Sequence, residues 1–217
     1  MSDYPFPILT VDVVLMALRK DGLWLGLIRR AAAPFAGAMS LPGGFVHVNE
    51  DKDTEATALR VIREKTGLTD VHCEQLGTFS GATRDPRGWS ATVVYFALVR
   101  GEPPEGEALT WVPAAETGDL AFDHSKIVSG ALARLRAKGS WSSLPAFFLP
   151  ELFTFSELRR TYEQVLEAEL NDSAFRRKVD ELELIEAVEG QKSKSTARPA
   201  QLFRLKGGKL RAFDRRI

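Results

Sequence analysis

The stretch Leu41-Pro-Gly-Gly-Phe-Val-His-Val-Asn-Glu-Asp-Lys-Asp-Thr-Glu-Ala-Thr-Ala-Leu-Arg-Val-Ile-Arg-Glu-Lys-Thr-Gly-Leu68 decides the fold. It reads as a tight glycine turn, a polar loop and a helix. Asp53 or Thr54 can cap the helix start, because either side-chain oxygen can accept one of the orphan backbone N–H groups. Gly67 suits the left-handed position that closes a helix, where any Cβ is disfavoured.

The same stretch resembles the Nudix box: a glycine, five residues, a glutamate, seven residues, then Arg-Glu-apolar-x-Glu-Glu-x-Gly-apolar. In that family the helix glutamates stand at i, i+3 and i+4, so they share one face and offer hard oxygen ligands to Mg²⁺ on a diphosphate. Anchored on Gly67, those positions here are Val61, Glu64 and Lys65. A hydrocarbon and an ammonium replace two carboxylates, and a lysine there repels a divalent cation. Gly44 and Arg60 are also two residues too far apart for the pattern. The upstream glutamate aligns with Lys52 from one anchor and with Glu50 from the other. The expectation is a binding fold without efficient metal-dependent hydrolysis, with no catalytic residues, no metal and no cofactor. Arg60 is expected to pair with Glu64.

Outward from the box, Ile8–Arg19 and Leu23–Arg30 read as strands joined at Asp21-Gly22. Strand periodicity sends Arg29 and Arg30 to opposite faces, one toward a cleft and one away from it. Val71–Phe79 and Ala91–Arg100 are further strands, and Ala108–Val112 a short edge strand. Between the first two lies Ser80-Gly-Ala-Thr-Arg-Asp-Pro-Arg-Gly-Trp89, whose Pro86 and Gly88 shape a turn. Its Arg84 and Arg87 have the fork geometry that grips a pyrophosphate. The Arg-Asp-Pro-Arg-Gly run is similar to one in Nudix proteins that handle ADP-ribose and in regulators related to them. His124–Lys138 places Ile127, Val128, Ala131, Leu132 and Leu135 on one helical face, with Gly139 ending it. These elements match the α/β/α sandwich of the Nudix fold, over about residues 1–140.

Residues 141–149 read as a linker whose aromatic content suggests that it packs, and 150–217 as a second unit. Ser156 is expected to cap a helix over Glu157–Leu170. Asn171 or Ser173 then caps a second helix, Asp172–Leu182. A hairpin of Leu184–Val188 and Gln201–Leu205 follows, so the unit has the outline of a winged helix. The 217 residues carry 29 basic and 29 acidic side chains, yet from Gly190 onward there are nine basic residues against Asp214 alone. Such a surplus points to an anionic partner. The single cysteine, Cys73, excludes an internal disulfide. No signal peptide is read, nor any apolar run of the roughly 18 residues that a membrane span needs, so a cytoplasmic protein with no membrane partner is expected. His47, His72 and His124 lack metal-ligand spacing.

Leu149-Pro-Glu-Leu-Phe-Thr-Phe-Ser-Glu-Leu-Arg-Arg-Thr-Tyr-Glu-Gln-Val-Leu-Glu167, Phe175-Arg-Arg-Lys178 and Arg198-Pro-Ala-Gln-Leu-Phe-Arg204 make the second unit more specific than a generic helix-turn-helix. Behind a degenerate Nudix box, they closely resemble the NrtR family of Nudix-related transcriptional regulators. The resemblance implies a homodimeric repressor that grips a palindromic operator in double-stranded DNA. Its Nudix-like domain senses ADP-ribose or a related nucleotide, and the controlled genes serve NAD synthesis or salvage. The effector candidates are Arg29, Arg30, Phe45, Arg60, Glu64, Arg84 and Arg87. For DNA they are Ser173, Arg176 and Arg177 at base edges, with Lys178, Lys192, Lys194 and Arg198 at phosphates and Arg159 and Arg160 at the backbone. Two alternatives stay open: an active Mg²⁺-dependent hydrolase of ADP-ribose-type substrates, and a repressor of this architecture that senses a sugar phosphate.

Overall fold

The computed structural model describes residues 6–104, 109–193 and 199–217. The chain divides into two compact units, Met1–Leu132 and Ala133–Ile217.

The first unit is built on a sheet of seven strands. The central strand β1 (Ile8–Arg19) pairs antiparallel with β2 (Gly22–Arg29) and with β4 (Gly43–Phe45). It pairs parallel with β6 (Ser90–Val99), and β5 (Val71–Gly81) closes that edge against β6. β3 (Met39–Ser40) and β7 (Thr110–Pro113) both pair with β2. The expected edge strand Ala108–Val112 is met by β7 over Thr110–Val112, while Ala108 lies outside the described residues. β1 and β6 are buried on both faces, which is why their sequences run apolar without alternation.

One face of the sheet is covered by α1 (Thr54–Thr66), whose Ala58, Val61 and Ile62 pack with Val11, Val13, Leu15, Tyr95 and Ala97. Asp53, not Thr54, caps α1: its carboxylate accepts from the Ala56 N–H at 2.8 Å. Gly67 closes the helix at φ 73°, as its place in the sequence requires. The opposite face meets α2 (His124–Gly139), where a Cβ at Gly130 would stand 3.7 Å from the Phe79 ring.

The second unit includes the residues that the sequence suggested were a linker. Leu144–Phe148 form a 3-10 helix, and every one of these residues is buried. Apolar side chains at that density cannot stay in water, and Ala146 and Leu149 join the core of this unit. β8 (Phe153–Thr154) leads into α3 (Phe155–Leu166), and α4 (Asp172–Glu181) follows. Thr154 caps α3, not Ser156. The Thr154 hydroxyl accepts from the Glu157 N–H at 3.2 Å, and the Glu157 carboxylate accepts from the Thr154 N–H at 2.6 Å, a complete capping box. Asn171 caps α4 by accepting from Ala174 N–H at 3.0 Å. β9 (Ile185–Lys192) and β10 (Gln201–Leu205) form the hairpin, and β8 pairs with β10 to make a three-stranded wing sheet. Its core gathers Leu158, Tyr162, Phe175, Val179, Leu184 and Phe213.

Candidate functional site

A cleft opens in the first unit where the β4 turn, the end of β2, the Arg84–Gly88 loop and the start of α2 converge. Its lining includes Asp12, Arg30, Ser40, Gly43, Gly44, Phe45, Arg84, Asp85, Arg87, Phe122 and His124. Its floor is a buried polar network. Asp12, a lone carboxylate inside the apolar run of β1, is only 7% exposed. Its Oδ2 lies 3.7 Å from His124 Nε2 and 3.8 Å from Arg84 Nη2. The Leu41 N–H donates to His124 Nδ1 at 3.1 Å, which places the ring proton on Nε2, toward Asp12. Arg84 is held in turn by a fork onto Asp123, with Nε–Oδ2 at 3.2 Å and Nη2–Oδ1 at 2.9 Å, and by the Ser90 hydroxyl at 3.2 Å. Burial works against the Asp12 carboxylate. Hydrogen bonding from His124, with the Arg84 charge, nonetheless holds its pKa below the ordinary value.

The floor explains one glycine of the box. A Cβ on Gly43 would stand 2.1 Å from Asp12 Oδ1, so no side chain fits there. The turn can then lie directly over the carboxylate, with Gly43 and Gly44 presenting open backbone to the cleft.

Cations and aromatic rings form the rim. Arg87 donates to Asp85 from Nε at 3.0 Å and from Nη2 at 2.7 Å, and its guanidinium carbon lies 5.6 Å from the Phe45 ring centre. The Arg87 hydrogen bonds set the buried Asp85 carboxyl below the usual carboxylate range. Phe45 is 52% exposed beside the cleft. Across from this pair, the Arg30 guanidinium sits 4.7 Å from the Phe122 ring, which meets Phe35 edge-on at 4.9 Å. Phe35 and Phe122 both hold positive φ, 61° and 57°. Bulky residues rarely adopt this conformation, and such strain collects at ligand sites. Two arginine–aromatic pairs above a hydrogen-bonding floor suit a ligand with an anionic centre and a flat ring.

The expected effector residues fall into two groups. Arg30, Phe45, Arg84 and Arg87 line the cleft. Arg29 points away and donates to the Gly37 carbonyl at 2.7 Å. Arg60 and Glu64 lie on α1, outside the lining. Arg60 is buried and committed to internal partners: it donates to Asp51 Oδ1 at 2.9 Å and Oδ2 at 2.8 Å, to Glu64 at 3.1 Å and to the Phe45 carbonyl at 2.9 Å. The main carboxylate partner of Arg60 is therefore Asp51, a position neither anchor of the box selected. Glu50 instead faces His47 at 3.1 Å. At the degenerate positions, Val61 is 1% exposed and packed in the core, while Lys65 is exposed.

In the second unit, Ser173, Arg176 and Arg177 are exposed along α4, and Lys178 is half-buried. The Arg176 guanidinium carbon lies 3.8 Å from the Phe155 ring, which orients its side chain. Arg160 is exposed, whereas Arg159 is turned toward the Leu170 carbonyl at 3.2 Å and toward Glu163 and Asp172. Lys192 is exposed at the end of β9; Lys194 and Arg198 lie outside the described residues.

Residues 7–131 match the NUDIX domain family, and residues 145–205 match the NrtR DNA-binding winged helix domain. Over 94% of this chain and 84% of the relative, the sequence is 39% identical to the ADPR responsive transcriptional repressor NtrR of Acinetobacter baylyi. The chain belongs to the NrtR family. The Shewanella oneidensis NrtR crystallised with a 27mer DNA has a TM-score of 0.87, 35% identity, and coverage of 96% of this chain and 99% of that one. The NUDIX domain of the same regulator, crystallised with ADP ribose, has a TM-score of 0.56 and 37% identity over 61% of this chain and 90% of that one. The first unit is also 36% identical to an ADP-ribose pyrophosphatase of Methanocaldococcus jannaschii, over 58% of this chain and 73% of that enzyme.

Sequence reasoning missed Asp12, Asp85, Phe122, Asp123 and His124. For Asp12 there was a signal, a single carboxylate in an all-apolar strand. For His124 there was none, because its value depends on the Leu41 N–H, 83 residues away in the chain.

Proposed function

We propose that this chain is a DNA-binding transcriptional repressor whose first unit senses ADP-ribose or a related nucleotide of NAD metabolism. It acts as a homodimer on a palindromic operator of genes for NAD synthesis or salvage. One observation carries the reading: the likeness to an ADPR-responsive repressor runs through both units at 39% identity, not through the Nudix part alone. The cleft supports the ligand class. Arg30 and Arg87 supply positive charge at the rim for a pyrophosphate, and Phe45 and Phe122 supply faces for a base or ribose. The exposure of Ser173, Arg176 and Arg177 along α4 supports a groove-reading role for them. Mobility shift with the chain's own promoter, with and without ADP-ribose, tests it. Salt-sensitive, sequence-selective binding that ADP-ribose alters is expected; equal binding to any duplex, indifferent to ADP-ribose, would sink the reading.

Hydrolysis is lost in this reading. Two of the three metal positions on α1 hold a buried valine and a lysine, and Arg60 engages both Asp51 and Glu64. A second reading, an active hydrolase, is favoured by the likeness to the pyrophosphatase and by the retained Glu64. Magnesium-dependent turnover of ADP-ribose that disappears in Glu64→Gln would establish it. Calorimetry with nucleotides and sugar phosphates then fixes the effector.

A further inference from the structure

The last residues of the chain carry a pair of arginines that the recognition helix does not account for. Arg215 and Arg216 are exposed, and the backbone on either side of them is pinned. Before them, the Phe213 N–H donates to the Trp141 carbonyl at 2.7 Å, and its ring is 8% exposed in the core of the second unit. After them, the Ile217 N–H donates to the Ser140 carbonyl at 2.8 Å, and its side chain packs on the same core. The two arginines therefore stand on an ordered arch with both feet fixed, so little conformational entropy is lost when they engage a partner.

The arch faces α4. Arg215 and Arg216 share one depression with Arg177, Lys178 and Glu181. The Glu181 carboxylate is 3.8 Å from Arg177 Nε and offsets part of that charge. Four cations against one carboxylate repel one another, and an anion settling among them relieves the repulsion. Arg177 and Lys178 belong to the helix already assigned to the operator, so an anion spanning helix and arch lies beside the DNA that α4 would meet.

We propose that the Arg215–Arg216 arch, with Lys178, is a phosphate clamp that grips the sugar–phosphate backbone of duplex DNA beside the groove that Arg177 and the rest of α4 enter. This rests on the repressor reading above. The clamp positions the protein without reading sequence, because phosphates are the same at every base pair. Each phosphate that an arginine neutralises releases condensed counterions, so the clamp makes binding more sensitive to salt.

The test is the salt dependence of operator and random-duplex affinity for the full chain, for Arg215→Ala/Arg216→Ala and for Arg215→Lys/Arg216→Lys. The alanine pair should flatten the slope of log K against log salt by about 1.8, at about 0.9 per phosphate contact. The advantage of the parent then grows about twelvefold as salt falls from roughly 200 to roughly 50 mM. Operator and random duplex should weaken by the same factor, and the lysine pair, which keeps the charge, should restore the slope. ADP-ribose affinity, measured on the same samples, should not move if the fold is intact. An unchanged slope in the alanine pair would overturn the clamp and leave the repressor reading standing. So would protection of the arginines by inorganic phosphate with the DNA slope unaltered, which would assign them to a small anion. Failure of the parent chain to bind duplex at any salt would overturn both.

Discussion

The Asp51 carboxylate accepts four hydrogen bonds, from Arg60 Nε and Nη2, the His47 N–H and the Thr57 hydroxyl. Above all the bonds from Arg60 hold its pKa far below the ordinary value of 3.8. The ionised form is thus the one the fold prefers, so its contribution is complete above pH 3.8 and is lost as pH falls below it. Asp51→Asn should lower the thermal midpoint at neutral pH, and the gap to the parent should begin to narrow as pH falls below 3.8; melts from pH 7 to pH 3 check this. A gap that persists undiminished to pH 3 would mean that packing, not charge, sets the role of Asp51. Gly43 makes a steric counterpart. With Asp12 Oδ1 at 2.1 Å from any Cβ, Gly43→Ala must displace the carboxylate or the turn. Overpacking of this kind costs about 1–3 kcal/mol, and denaturant unfolding measures it. ADP-ribose binding should weaken as well, because the cleft floor moves, whereas Gly118→Ala, at φ 60° but with nothing within 4 Å of its Cβ, should leave the ligand untouched.

Among elements, α3 shows how a boundary is chosen. Ser156 and Thr154 are both good caps by residue type, and only the position of Glu157 separates them. A capping box requires the glutamate three residues after the cap, and that selects Thr154. Thr154→Ala should cost about 1 kcal/mol, while Ser156→Ala should stay within a few tenths, compared by chemical denaturation of the full chain. An equal cost for the two would place the cap at the serine. The box helix α1 teaches a similar lesson in chemistry. Its end followed from Gly67, and its start was narrowed to Asp53 or Thr54. Arg60 pairs with Glu64 as expected, but its second acid was not legible, because the two-residue excess in the preceding loop lets Asp51, rather than Glu50 or Lys52, turn inward. Spacing along a helix is fixed by its pitch, whereas spacing across a loop is fixed by whatever the loop folds onto.

For the whole molecule, the two units imply a thermodynamic constraint on the repressor. If ADP-ribose changes operator affinity by some factor, operator DNA must change ADP-ribose affinity by the same factor, and coupling of this kind typically spans roughly 5–150-fold. Titrating ADP-ribose into the free protein and into its operator complex measures this. Arg87→Ala should abolish the response through weaker ADP-ribose binding, yet leave operator affinity in its absence unchanged. Loss of operator affinity without ligand would instead make Arg87 part of the DNA-binding machinery.

The linear sequence by itself determined most strands and helices, the winged unit and the basic end, because periodicity, capping and residue chemistry act over a few neighbours, and its likeness to the Nudix box supplied the sandwich and the degenerate metal positions. Only the tertiary structure separated Arg30 from Arg29 as the cleft residue, and it drew the supposed linker 141–149 into a core. It also joined Asp12, Arg84, Asp123 and His124 into one network and set Arg215 and Arg216 beside α4. Those outcomes depend on contacts between residues far apart in the chain, and burial and charge decide them only once the strands have registered and the helices have docked.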